Sequence, residues 1–198
     1  MAGIESVNVS EGLDATYERG FLPSGEADAL FALLRELEWT RDRVRIFGRE
    51  HLSPRLSAWH GDAGVEYRYS GGNHIARPWT AELGMLRDRL FSALGVRFNF
   101  VLANFYRDGN DSMGWHADDE AVLGPNPVIA SLSFGATRRL AFRERLRSAS
   151  PRRSAIALEH GSLLVMAGDS QRRWQHALPR SRRVLGPRIN LTFRRLLV

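Results

Sequence analysis

Apolar residues recur every third or fourth position in two stretches of this chain and every second position in most of the others. From Ser24 onward Ala27, Leu30, Phe31, Leu34 and Leu37 mark one helical face, with Ser24 placed as the N-cap. A second helix opens at Thr80, carries Leu83, Leu86, Leu90, Phe91 and Leu94, and ends at Gly95. Beyond Gly95 the period drops to two. FNFVLANFY, VIASLSFG, RLAFRE, SAIAL, SLLVMAG and RINLTFRRLL read as short strands separated by Gly, Pro, Asn and Asp. Strands at this density predict an α+β, mainly β fold: a jelly roll or barrel with both helices packed on one sheet. No repeat or low-complexity linker interrupts it. A single domain over 1–198 is expected, with a flexible N-terminus over 1–20.

In RINLTFR, Arg188, Asn190, Thr192 and Arg194 share one face, and Ile189, Leu191 and Phe193 the other. A polar strand face commonly meets solvent on a sheet edge. The other reading is a barrel lumen that holds a polar, acidic ligand, and Asn104 and Tyr106 of LANFY supply a similar face. Two guanidinium groups, short polar groups and a phenol suit a small dicarboxylate.

GWHADDE crowds His116, Asp118, Asp119 and Glu120 together. If extended, His116 and Asp118 point the same way. H-x-D alone recurs by chance, so a third ligand is required, and His176 in RRWQHALP is the best candidate. Two imidazoles and one carboxylate hold one face of an octahedral metal and leave three positions open, as in non-haem Fe(II) oxygenases.

The 198 residues are 43% hydrophobic and 25% charged, ordinary for a soluble fold. No apolar run approaches the roughly 20 residues that span a bilayer. MAGIESVNVSEG lacks the regions of a signal peptide, and a cytoplasmic location is expected. With no cysteine, disulfides and thiolate metal sites are excluded. The formal charge of +6 points to a polyanionic partner, and all 28 basic residues are Arg. They gather in RERLRSASPRR (Arg143, Arg145, Arg147, Arg152, Arg153), QRR (Arg172, Arg173) and RSRR (Arg180, Arg182, Arg183). One such run is usually a solvated face. Three around one barrel make a phosphate footprint, and Ser and Pro within the first suggest a loop.

NFYRDGNDSMGWHADDE, HGSLLVM, WQHALP and GPRINLTFR, in this order and spacing, resemble the AlkB family of Fe(II)/2-oxoglutarate-dependent nucleic-acid dealkylating dioxygenases, closest to its double-stranded-DNA-acting branch. The likeness runs from about Phe47 to the C-terminus. It implies a double-stranded β-helix over about 96–198 and a nucleotide-recognition lid over about 40–75. It also implies Fe(II) on His116, Asp118 and His176, and 2-oxoglutarate lined by Asn104, Tyr106, Arg188, Asn190, Thr192 and Arg194, with Arg188 on the distal carboxylate. O2 is the co-oxidant.

For the substrate, the resemblance implies a base flipped out of the stack. Tyr69 would stack on it opposite His116, Tyr67 would line the same pocket, and Asp119 or Glu120 would accept from an exocyclic amine. Phe47 would fill the gap left in the duplex. Core packing is the ordinary use of such aromatics. The reaction implied is demethylation of 1-methyladenine or 3-methylcytosine, with etheno adducts as a further class, releasing succinate, CO2 and formaldehyde. The partner is alkylated DNA, single- or double-stranded, with RNA a second candidate and a monomer the expected state. Rival readings are an oxygenase of the same fold acting on protein or a small molecule, a zinc hydrolase with Glu120 as base, and a non-catalytic DNA-binding module. His51, His60, His74 and His160 read as structural, with DNA contact open to His51 and His60.

Overall fold

A computed structural model describes residues 6–46, 49–69, 72–145, 151–183 and 186–197. Before the second helix lie β1 (Ser6–Ser10), β2 (Leu13–Glu18), α1 (Ser24–Leu34), β3 (Arg43–Ile46), β4 (Arg49–Leu52), β5 (Leu56–Gly61), β6 (Glu66–Tyr69) and β7 (Gly72–Ile75). After α2 (Ala81–Leu94) come β8 (Phe100–Tyr106), β9 (Met113–His116), a 3-10 turn at Ala121–Leu123, β10 (Ile129–Gly135) and β11 (Arg138–Glu144). The chain closes with β12 (Arg153–Leu158), β13 (Ser162–Met166), α3 (Ser170–Arg173), β14 (Trp174–Leu178) and β15 (Arg188–Arg194).

The last eight strands divide equally between two antiparallel sheets. The larger runs β1-β2-β13-β10-β15-β8-β5 and the smaller β12-β11-β14-β9. This is the expected jelly roll, a double-stranded β-helix. Its interior is one apolar core, built from Tyr17, Phe100, Leu102, Leu140, Phe142, Leu164 and Trp174 among others. A second core lies between the larger sheet and the helices, where Leu30, Leu34, Leu83, Leu86 and Leu90 meet Leu132, Ile189, Leu191 and Phe193. β15 is therefore buried on both faces along its whole length. Its polar side chains are lumenal and not the solvent side of an edge.

α2 begins and ends as its sequence predicts. The Thr80 hydroxyl accepts from the Leu83 amide, and Gly95 takes the left-handed conformation at φ 69°. α1 departs from expectation at both ends. Ser24 is its first helical residue, Pro23 is the cap position, and no side chain caps it. The helix stops at Leu34, and Leu37 reaches the same core from the turn beyond.

Residues 6–18, expected within a flexible leader, form β1 and β2 and extend the larger sheet beyond β13. The region expected as a lid contains two separate hairpins, β3–β4 and β6–β7. Between them, β5 is an edge strand of the larger sheet, paired with β8.

Candidate active site

The register of the smaller sheet sets His176 of β14 directly opposite His116 of β9, with ring centroids 4.2 Å apart. β9 ends at His116, so the expected extended His116–Asp118 stretch stops short. Asp118 still turns inward because two side chains hold it. Gln171 Oε1 accepts from the Asp118 amide at 2.9 Å. Arg194 Nη2 lies 3.0 Å from Asp118 Oδ2, and both side chains are 2% exposed. His116 Nδ1 faces the Gly114 carbonyl at 2.9 Å and must donate to it, which turns the Nε2 lone pair toward Asp118 Oδ1, 3.9 Å away.

The ligand atoms of His116, Asp118 and His176 all lie within 4.8 Å of one another, the one such His/Asp/Glu cluster among the described residues. Asp118 Oδ1 is buried and has no hydrogen-bond partner among the described residues. An isolated buried carboxylate oxygen is costly, and a cation removes the cost. Burial pushes the His176 imidazole down to about 3, with the Arg194 charge acting the same way, so the ring is neutral and able to ligate. Burial alone would raise the Asp118 carboxyl. Arg194 and the two imidazoles outweigh it and hold the group down at about 2. His176 and Asp118 have the charge states, and the three ligand atoms the spacing, that a divalent metal requires.

Beside it, β15 and β8 line the same cavity with Asn104, Tyr106, Arg188, Asn190, Thr192 and Arg194, joined by Ser131 and apolar Met113, Leu140, Leu164 and Met166. Arg188 donates to Ser133 Oγ at 2.9 Å and Asn190 Oδ1 at 2.6 Å, and its guanidinium lies 5.3 Å from the Tyr106 ring centre. Among the described residues it has no carboxylate partner, and burial pushes its pKa down to about 10. An enclosed cation without a counterion is a binding site for an anion. Asn190 relays to Thr192 (2.7 Å) and accepts from Ser131 (3.0 Å). Asn104 is held by Arg55, whose Nε donates to Oδ1 at 2.6 Å. Arg194 belongs first to Asp118, where it steadies the carboxylate.

The remaining candidates divide. Tyr67 is fully buried against Trp59 and Phe100, 5.7 Å below the Arg194 guanidinium, and Glu120 lies in reach of its hydroxyl. Burial and the neighbouring Asp118 charge raise the Glu120 carboxyl. Asp119 points outward into an ion pair with Arg145. Phe47, Arg147 and the side chain of Tyr69 lie outside the described residues. Arg152 pairs with Glu144, whereas Arg143 and Arg153 are on the outer face of the smaller sheet. His60, open to DNA contact on sequence grounds, is buried, with Nδ1 on the Pro78 carbonyl at 2.7 Å.

Four contributors are absent from the sequence-derived set. Ser131 and Ser133 were legible, since they alternate with Leu132 and Phe134 in VIASLSFG. Gln171 and Arg138 were not. Arg138 is a buried guanidinium that donates to the carbonyls of Asp108, Asp111 and Pro179, and nothing in RRLAF marks it.

Residues 14–194 match the family model of the 2OG-Fe(II) oxygenase superfamily. The chain belongs to this superfamily. Within it, the human DNA oxidative demethylase ALKBH2 is 44% identical, over 96% of this chain and 76% of that protein. Its Arabidopsis thaliana counterpart is 34% identical, over 98% and 69%. The human alpha-ketoglutarate-dependent dioxygenase alkB homolog 3 is 40% identical, over 88% and 63%. The solved structure of OsALKBH1 shares the fold, with a TM-score of 0.70 at 15% identity across 96% of this chain and 100% of that one. This oxygenase thus uses Fe(II), 2-oxoglutarate and O2. The facing imidazoles, the unpaired Asp118 oxygen and the uncompensated Arg188 fit that set.

Proposed function

We propose that the chain repairs DNA by oxidative removal of N-alkyl groups from bases, with His116, Asp118 and His176 holding Fe(II) and Arg188 anchoring the distal carboxylate of 2-oxoglutarate. One observation carries this reading: a buried His-Asp-His cluster and a buried guanidinium without a counterion share a single cavity. The relatives named as DNA oxidative demethylases support the substrate class.

When bound, Fe(II) with 2-oxoglutarate and O2 supplies the oxidising power that hydroxylates an N-methyl carbon, yielding succinate, CO2 and, as the product collapses, formaldehyde. The protein supplies placement. Arg194 keeps Asp118 ionised, and the His116–Gly114 bond fixes the imidazole tautomer. Ser133 and Asn190 aim the Arg188 guanidinium, and Tyr106 covers it. Leu140, Leu164 and Met166 keep water from the enclosed space. With Asp119 engaged by Arg145, Glu120, beside the Tyr67 hydroxyl, is the carboxyl left to accept from an exocyclic amine of the base.

The test is anaerobic loading with Fe(II), then incubation with 2-oxoglutarate, O2 and DNA carrying 1-methyladenine or 3-methylcytosine. Succinate and formaldehyde are expected in equal amounts, and Asp118→Ala should abolish both. Arg188→Ala should weaken 2-oxoglutarate binding at least thirtyfold, since breaking a buried charge pair costs about 2 kcal/mol or more. Turnover that persists without metal or without 2-oxoglutarate refutes the reading.

A further inference from the structure

α1 and α2 cover the larger sheet, and the outer face of the smaller one carries an unusual charge pattern. Along β11, Leu140 and Phe142 are buried inside, while Arg139, Ala141 and Arg143 face out. The register sets Arg143 opposite Arg153 of β12 on one side and Gln175 of β14 on the other. Arg139, Arg143 and Arg153 thus stand over a floor of Ala141, Ala155 and Ala157. Like charges directly opposed across strands are destabilising. Among the described residues, none of the three has a carboxylate partner. The neighbouring Arg145, Arg152, Arg172 and Arg173 do, pairing with Asp119, Glu144 and Asp169. What reads as one basic run is therefore a neutralised set and a separate group of uncompensated cations.

Trp115 sits beside that group. It precedes His116 on β9, so alternation turns its indole outward, and it is 41% exposed. The Arg143 guanidinium lies over the ring, 4.4 Å from its centre, and is fixed by two bonds to Gln175 Oε1 at 3.0 and 2.8 Å. A large aromatic held open at a sheet surface, one residue from the candidate metal centre, is otherwise unexplained.

We propose that this face binds the unpaired strand flanking a lesion, with a nucleobase stacked on Trp115 and phosphates at Arg139, Arg143 and Arg153. The proposal rests on the DNA-repair reading and adds a strand preference to it. An aromatic platform beside a row of cations matches single-stranded nucleic acid, which offers a free base face and regularly spaced anions. A duplex offers the anions and keeps its bases stacked on one another. Arg139 and Arg143 are four residues apart on one strand, about 13 Å, enough to meet more than one phosphate.

The test measures binding of the full chain to labelled, unmodified oligothymidylate of about ten nucleotides and to a hairpin duplex of similar length. Trp115→Ala should weaken single-strand binding roughly fivefold to a hundredfold, the worth of one lost base stack, and change duplex binding less than about twofold. Trp115→Phe should restore most of the loss. Arg153→Gln should flatten the plot of log K against log salt by about 0.7 for the single strand, one phosphate's share. Equal weakening on both probes, no change on either, or displacement by polyglutamate as effective as by unlabelled oligothymidylate overturns the proposal. Binding is read without turnover. A chain that binds in this way but releases no succinate from methylated DNA counts against the repair reading alone.

Discussion

Gln171 is 2% exposed and makes no contact with the cavity's ligand atoms, yet its Oε1 takes the amide of Asp118 and so sets where that carboxylate points. Arg145 steadies the arrangement from outside by donating to the Gln171 carbonyl at 3.0 Å and pairing with Asp119. Groups that orient a metal ligand typically contribute 10–100-fold to metal affinity. Gln171→Met keeps the volume and loses the acceptor, so Co(II) affinity followed by absorbance should fall by about that factor. Gln171→Glu, which keeps an acceptor, should lose much less. Affinity within twofold of the parent in Gln171→Met would show that Arg194 alone suffices. At this scale the sequence is most legible where chemistry repeats along one strand, as in Arg188-x-Asn190-x-Thr192-x-Arg194. It is least legible where a lone side chain acts across the fold, as Gln171 and Arg138 do.

Among the elements, β1 and β2 were hidden in plain alternation. Leu13, Ala15 and Tyr17 are buried at every second position, the same signal that revealed the later strands. Their placement also protects the barrel. β2 covers the edge of β13, the Trp174 indole donates to the Gly12 carbonyl at 3.0 Å, and Tyr17 Oη accepts from the Glu159 amide. Deleting residues 1–18 uncovers a long strand edge and the Tyr17 site in the inner core. Thermal unfolding of the truncated chain should begin several degrees lower and be accompanied by light scattering. An unchanged transition would mean that the hairpin merely decorates the sheet. β9 teaches the converse. Its regular pairing stops at His116, and the expected strand geometry for Asp118 is replaced by side-chain tethers that no local pattern encodes.

Across the whole molecule, enclosure decides the charge states. His176 and His60 are both held neutral chiefly by burial, below the ordinary value of 6.5. The unfolded chain therefore binds protons near pH 6.5 that the fold refuses. Stability from these groups is complete above that pH and is lost as pH falls, for His176 down to about 3. Asp118, held at about 2, adds a loss only below its ordinary 3.8. The urea midpoint of the metal-free protein should thus drop as pH falls from 7.5 to 5, a range in which the imidazoles titrate and Asp118 does not. A flat midpoint over that range would exclude buried neutral imidazoles.

Periodicity alone determined the two helices, the strand-rich fold class and which residues of RINLTFR share a face, because side-chain direction along a helix or strand is a local property of the backbone. That the polar face is lumenal was decided by the helices that cover the other one. Tertiary structure decided which distant residues meet. His176 faces His116 only through the β14–β9 register, and Asp118 stays inward only because Arg194 and Gln171 hold it. It also decided which arginines are free, since ion pairing and desolvation depend on neighbours that enclosure brings together and that sequence distance does not reveal.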